Sequence, residues 1–209
     1  MNSDSPIVFV VDDDHRVREA LSSLISSAGL RVAVFNSAAE FLESEKPDAP
    51  ACLVLDLQLP GTSGLELQQQ LVTVDAPPIV FISGHGDIPS SVRAMKAGAI
   101  EFLSKPFSEQ ELMHAIENAI TLDRSARQKR TELAELQRHY NLLTPREREV
   151  LPFVVGGYAN KVTAADLGTA EITIGVHRGQ IMRKMEAKSL AELVRMADKL
   201  GVASTSKPV

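Results

Sequence analysis

Along the first 121 residues, short β-branched and aliphatic runs alternate with longer helical patterns. Five runs have the length of buried strands: Ile7–Val11, Arg31–Phe35, Ala51–Leu55, Ile79–Ile82 and Ile100–Leu103. Strands separated by helices predict βα units and a parallel sheet. Every run except the second gives way almost at once to a polar residue: Asp12 and Asp13, Asp56, Ser83 and Lys105. In an open parallel sheet, ligands bind beyond the carboxyl ends of the strands. Five residues far apart in sequence are therefore expected at one mouth.

After Phe107 a helix is expected from Leu112, Ile116, Ala119 and Ile120, and the charged stretch from Leu122 to Tyr140 continues without Gly or Pro. Leu133, Leu136, Tyr140 and Leu143 stand at a/d spacing over two heptads, a pattern that fits either a coiled coil or a stripe docked on a domain. Thr144-Pro145-Arg146-Glu147 then supplies an N-cap Thr, Pro at N1 and Glu at N3, the signature of a new helix. Four short helices fit between 145 and 200. The expected architecture is a doubly wound α/β domain with a five-stranded parallel sheet at 1–121, a helical linker at 122–141 and a small all-α domain at 142–209.

Composition narrows the class. With 209 residues, 44% hydrophobic and 23% charged, the chain is ordinary globular protein and long enough for two small cores. The N-terminus lacks a basic and apolar leader, so the expected location is the cytoplasm, without a membrane partner. Cys52, the single cysteine, lies inside an apolar run and reads as a buried structural thiol. Charge is uneven. Residues 1–121 hold 7 Lys and Arg against 17 Asp and Glu, whereas residues 142–209 hold 10 against 7. The basic C-terminal segment is compatible with a phosphate backbone, but an excess of three is weak evidence by itself.

The acidic mouth carries a stronger signal. Asp12, Asp13 and Asp56 would repel one another unless a cation neutralised them. Oxygen donors in small number suit Mg²⁺ with retained waters. Capping of the next helix would explain one of these aspartates, not three. Lys105 adds a complementary positive charge just before Pro106, and the Lys105-Pro106 bond is open to the cis form.

Val11-Asp12-Asp13-Asp14, the segment Leu55 to Gly64, Ile82 to Asp87 and Lys105-Pro106-Phe107 together resemble the receiver domain of two-component response regulators. The resemblance spans residues 6–121 and implies a CheY-like, flavodoxin-like fold. It makes Asp56 the phospho-acceptor, Asp12, Asp13 and Asp56 with the main-chain carbonyl of Gln58 the Mg²⁺ ligands, and Ser83 and Lys105 the holders of phosphoryl oxygens. Phe102 aligns with the family's switch aromatic, although it lacks the hydroxyl of the common Tyr, and core packing explains it equally well. His85 reads as a loop residue. Gly61 and Gly64 shape the loop beside Asp56.

Residues 142–202 resemble a LuxR-type helix-turn-helix, through Leu143 to Leu151, Asn160-Lys161, Asp166-Leu167-Gly168, Thr173-Ile174 with Val176-His177-Arg178, and Met182 through Lys188-Ser189-Leu190. Receiver plus this domain is the FixJ/NarL architecture. By resemblance, the helix from about Glu171 to Met185 enters the major groove. Asn160, Lys161, Thr173, His177, Arg178, Arg183 and Lys184 would meet phosphates. Gly175, Val176 and Gly179 would face bases, where the family often has long polar side chains; readout then falls on Val176, Gln180 and DNA shape. The implied partners are a sensor histidine kinase, double-stranded promoter DNA, RNA polymerase and a second copy after phosphorylation. Two other readings stay open: a phosphatase using the Asp12–Asp14 loop, whose following His15 and Arg16 depart from that family's pattern, and a constitutive DNA binder with a vestigial receiver.

Overall fold

The structure is a computed structural model, and it describes residues 5–71, 76–84 and 88–202. Contacts divide the chain into two compact units, Met1–Arg127 and Gln128–Val209.

The first unit contains β1 (Ile7–Val11), α1 (His15–Ser27), β2 (Arg31–Phe35), α2 (Ala38–Glu43), β3 (Ala51–Asp56), α3 (Gly64–Leu71), β4 (Ile79–Ser83), α4 (Ile88–Lys96) and β5 (Glu101–Ser104). All neighbouring strands are parallel, in the order β2-β1-β3-β4-β5. Central strands β1, β3 and β4 are buried throughout, as expected for a parallel sheet covered on both faces. Their alternating side chains build two cores. Phe9, Leu53, Leu55 and Phe81 pack with Phe35 and Phe41 on one face, while Val8, Val10, Val54 and Ile82 pack with Ile25, Leu112 and Ile116 on the other.

The strand ladder runs slightly further than the sequence pattern suggests. β3 ends on Asp56 and β4 on Ser83, because Asp56 pairs with Ile82 and Ser83 with Ser104. Both polar residues are thus the last rungs of the sheet rather than loop residues. His85, expected as a loop residue, lies outside the described residues.

Helix α5 (Glu109–Asn141) is one continuous helix of 33 residues, and the boundary between the units falls within it. Its first part buries Leu112, Ala115, Ile116, Ala119 and Ile120, a helical stripe ending on buried Asp123. Asp123 accepts from the Ala51 N–H at 2.8 Å and from Arg127 Nε at 2.7 Å. The carboxylate thereby satisfies the first amide of β3.

The second unit carries the end of α5, then α6 (Pro145–Val155), α7 (Asn160–Asp166), α8 (Glu171–Lys184) and α9 (Leu190–Lys199). The Thr144–Glu147 capping box is complete. Leu143, Val150, Leu151, Ile174, Ile181, Met185 and Leu193 form the core, with Tyr140 and Leu167 packed against it. Among the described residues, no helix is long and apolar enough to cross a membrane.

Candidate functional site

At the carboxyl end of the sheet, one carboxylate oxygen from each of Asp12, Asp13 and Asp56 lies within 4.8 Å of the others. Asp12 and Asp56 are buried and Asp13 is exposed. The Lys105 Nζ donates to Asp12 Oδ2 at 2.7 Å and to Asp56 Oδ1 at 3.2 Å. Strand order explains the meeting: β3 lies between β1 and β4, and β5 flanks β4, so residues 93 and 49 positions apart converge. The Lys105-Pro106 peptide is cis.

Local donors hold these carboxylates. Asp12 Oδ1 accepts from the Asp14 N–H at 2.9 Å, Arg18 Nη1 donates to the Asp12 carbonyl at 2.7 Å, and the Gln58 N–H donates to Asp56. The cap of α1 is Asp14, whose side chain accepts from the Arg16 N–H at 2.8 Å. Capping therefore uses the third aspartate of the run and leaves Asp12 and Asp13 for the pocket.

Burial pushes the Asp56 carboxyl above its ordinary value; Lys105 opposes that shift, and the Asp12 charge adds to it. Burial disfavours the Lys105 ammonium, but its hydrogen bond to Asp12 and the charges of Asp56 and Asp12 outweigh this and hold its pKa above the ordinary lysine value. Ser83 is buried, and its carbonyl accepts from the Lys105 N–H at 2.7 Å. Half-buried Phe102 sits with its ring centre 6.2 Å from that of Phe81. Gly64 closes the pocket wall: a Cβ there would stand 2.4 Å from the Asp56 carbonyl oxygen. Cys52 is buried away from these groups in the sheet, and burial pushes its thiol up.

In the second unit, α8 is fastened to the core by Ile174 and Ile181. Opposite them, Val176 and Gly179 are exposed, while Thr173, Gly175, His177 and Gln180 are half-buried. Lys161 and Arg183 are exposed, and Asn160 is half-buried beside Gly175. Two of the cations expected on phosphates have partners within the unit. Lys184 Nζ donates to buried Glu147 at 2.7 Å, and Arg178 Nη1 donates to the Tyr158 carbonyl at 3.0 Å. Arg183 bonds Gln180 Oε1 at 2.5 Å. The Glu147–Lys184 pair was missed because its members lie 37 residues apart, and the capping motif already accounts for the Glu. Ile172, 80% exposed, also escaped notice because an isolated isoleucine has no motif.

The chain matches the response regulator receiver domain family over residues 8–117. It matches bacterial regulatory proteins of the luxR family over residues 141–197. Nodulation protein W of Bradyrhizobium diazoefficiens is 49% identical over 203 residues, covering 97% of this chain and 89% of that protein. Response regulator protein TodT of Pseudomonas putida is 46% identical over 201 residues, covering 96% and 88%. Among solved structures, that of response regulator StyR superposes with a TM-score of 0.85 at 51% identity, covering 93% of this chain and 99% of that one. Full-length FixJ from B. japonicum gives 0.54 at 36% identity, covering 93% and 97%. The chain belongs to the two-component response regulators that join a receiver domain to a LuxR-type DNA-binding domain, a family of transcription regulators rather than enzymes.

Proposed function

We propose that Asp56 accepts a phosphoryl group from a sensor histidine kinase, and that this controls binding of residues 142–209 to double-stranded promoter DNA. The supporting observation is the convergence of three carboxylates around the Lys105 ammonium. The pocket fits Mg²⁺: its donors are hard oxygens, a cation already bridges two of them, and exposed Asp13 leaves one side open for waters. Asp12, Asp13, Asp56 and the Gln58 main-chain carbonyl would hold the ion. When bound, Mg²⁺ neutralises charge on the transferring phosphoryl group.

The chain's own groups do the rest. A carboxylate oxygen of Asp56 attacks phosphorus, the P–N bond to the kinase histidine breaks, and the imidazole leaves with the electron pair. Lys105 turns from Asp56 to a phosphoryl oxygen, and the Ser83 hydroxyl donates to another. Phe102 then packs inward toward Phe81. Exposed Val92 and Met95 on α4 are apolar groups that pairing of two receivers through α4 and β5 would cover. In the DNA-binding domain, Asn160, Lys161, Thr173, His177 and Arg183 contact phosphates, with Arg178 and Lys184 bracing the fold as they do so. Val176 and Gln180 face bases. RNA polymerase is the downstream partner, and residues 122–141 link the receiver to this domain.

Intact-mass measurement with acetyl phosphate and Mg²⁺ tests the acceptor. The wild type gains one phosphoryl group, while Asp56→Asn gains none. Equal labelling of both, or labelling indifferent to chelation of divalent metal, overturns the assignment.

A further inference from the structure

The first turns of α8 are unusual for a helix that reads DNA: two large apolar side chains project from them, alongside exposed Glu171. Ile172 is 80% exposed and Val176 is 59% exposed. As i and i+4 residues they are neighbours on one helical face. The fold does not require either, since Ile174 and Ile181 supply the buried contacts of α8. Gly175 and Gly179 share this side of the helix and carry no side chain. A Cβ on Gly179 would meet nothing within 4 Å, and one on Gly175 would meet only the Asn160 amide nitrogen at 3.6 Å. Their polar neighbours are Glu171 at the helix start and, further along, Gln180, which accepts from Arg183. Exposed Lys161 and Arg183 supply positive charge for the DNA backbone.

The first turn of a recognition helix reaches the base edges, and Ile172 is the second residue of α8. In the major groove, the base-specific apolar group is the C5-methyl of thymine. Other base edges offer donors and acceptors that Ile172 would desolvate without replacing. Resting on the DNA-binding reading above, we propose that Ile172 is a specificity-determining residue which, with Val176, packs against thymine C5-methyl groups. Side chains at i and i+4 are separated by about two base-pair steps, so the half-site carries thymine methyls about that far apart.

The test uses the full phosphorylated protein and a duplex selected by it from a random-sequence library. That duplex is made once with thymine and once with uracil at each A·T pair, a change that removes only the methyl. Wild type binds the uracil duplex more weakly, by roughly fourfold for each contacted methyl. Ile172→Ala loses one such step on the thymine duplex and none on the uracil duplex, and Ile172→Val retains most of the discrimination. Lys161→Ala weakens both duplexes equally. If thymine and uracil duplexes bind alike, if Ile172→Ala leaves the ratio unchanged, or if selection enriches no thymine, the proposal fails while DNA binding stands. Absence of binding to any duplex defeats the DNA-binding reading as well.

Discussion

In the receiver unit the candidate site is built on buried polar residues at strand ends, whereas in the DNA-binding unit the buried residues hold α8 and its candidate contacts are mostly exposed or half-buried. The difference has a physical origin. A buried carboxylate must have partners, so Asp12 and Asp56 are fixed by Lys105 and by backbone donors. Ile172 and Val176, exposed on α8, face only water until DNA arrives. Once Lys184 and Arg178 are assigned internal partners and Ile174 and Ile181 the core, the side chains left outward on α8 include Ile172, Val176, Glu171 and Arg183. Buried polarity holds the fold together in both units, through Asp123 in one and Glu147 in the other, and only in the receiver does it also gather at the mouth of the sheet.

The sharpest break in that contrast is at Glu147. Removal of its side chain by Glu147→Ala opens the capping box and strands Lys184, and destabilises the second unit by about 3 kcal/mol, measured by urea unfolding of the full chain. A change below about 1 kcal/mol would deny the pair its structural role. Burial alone would raise the Glu147 carboxyl, but the Lys184 and Thr144 hydrogen bonds outweigh it and hold it below its ordinary value of 4.5. Its stabilisation is therefore fully present above 4.5 and is lost as pH falls through the lower folded value. The acid limb of unfolding flattens in Glu147→Gln.

A smaller effect comes from one substitution made in both units, with opposite sign. Gly64→Ala sets a Cβ 2.4 Å from the Asp56 carbonyl oxygen. It destabilises the receiver by about 2 kcal/mol and slows phosphorylation. Gly179→Ala meets no atom within 4 Å, so helix propensity alone stabilises the second unit by up to about 1 kcal/mol. Thermal unfolding of both variants checks the pair; equal signs would contradict the packing.

The least effect is expected at Asp13, where function opposes stability. Folding gathers three carboxylates, so Asp13→Asn raises the stability of the metal-free protein by up to about 1 kcal/mol. Millimolar Mg²⁺ raises the melting temperature of wild type and not of the variant. Stabilisation of both by Mg²⁺ would remove Asp13 from the ligand set.

Much of this was legible in the amino-acid sequence because it depends on local periodicity. Runs such as Ile7–Val11 have strand length and turn abruptly polar, which marks both a strand and its functional end. Thr144 and Glu147 lie three residues apart, the reach of a capping box. The roles within the Asp12–Asp14 run were less accessible, since three adjacent aspartates look alike until backbone angles show that Asp14 takes the β conformation of the N-cap.

By itself, the sequence determined the strands, the helices and the order of the acidic, serine and lysine positions along the receiver, since periodicity and capping act over one or two helical turns. Tertiary structure alone decided which charges meet: Lys105 with Asp12 across 93 residues, Asp123 with the Ala51 amide across 72, Lys184 with Glu147 across 37. No local pattern encodes such separations. They follow from strand order and helix packing, and they decide whether a charge is spent inside the protein or left to meet a phosphate.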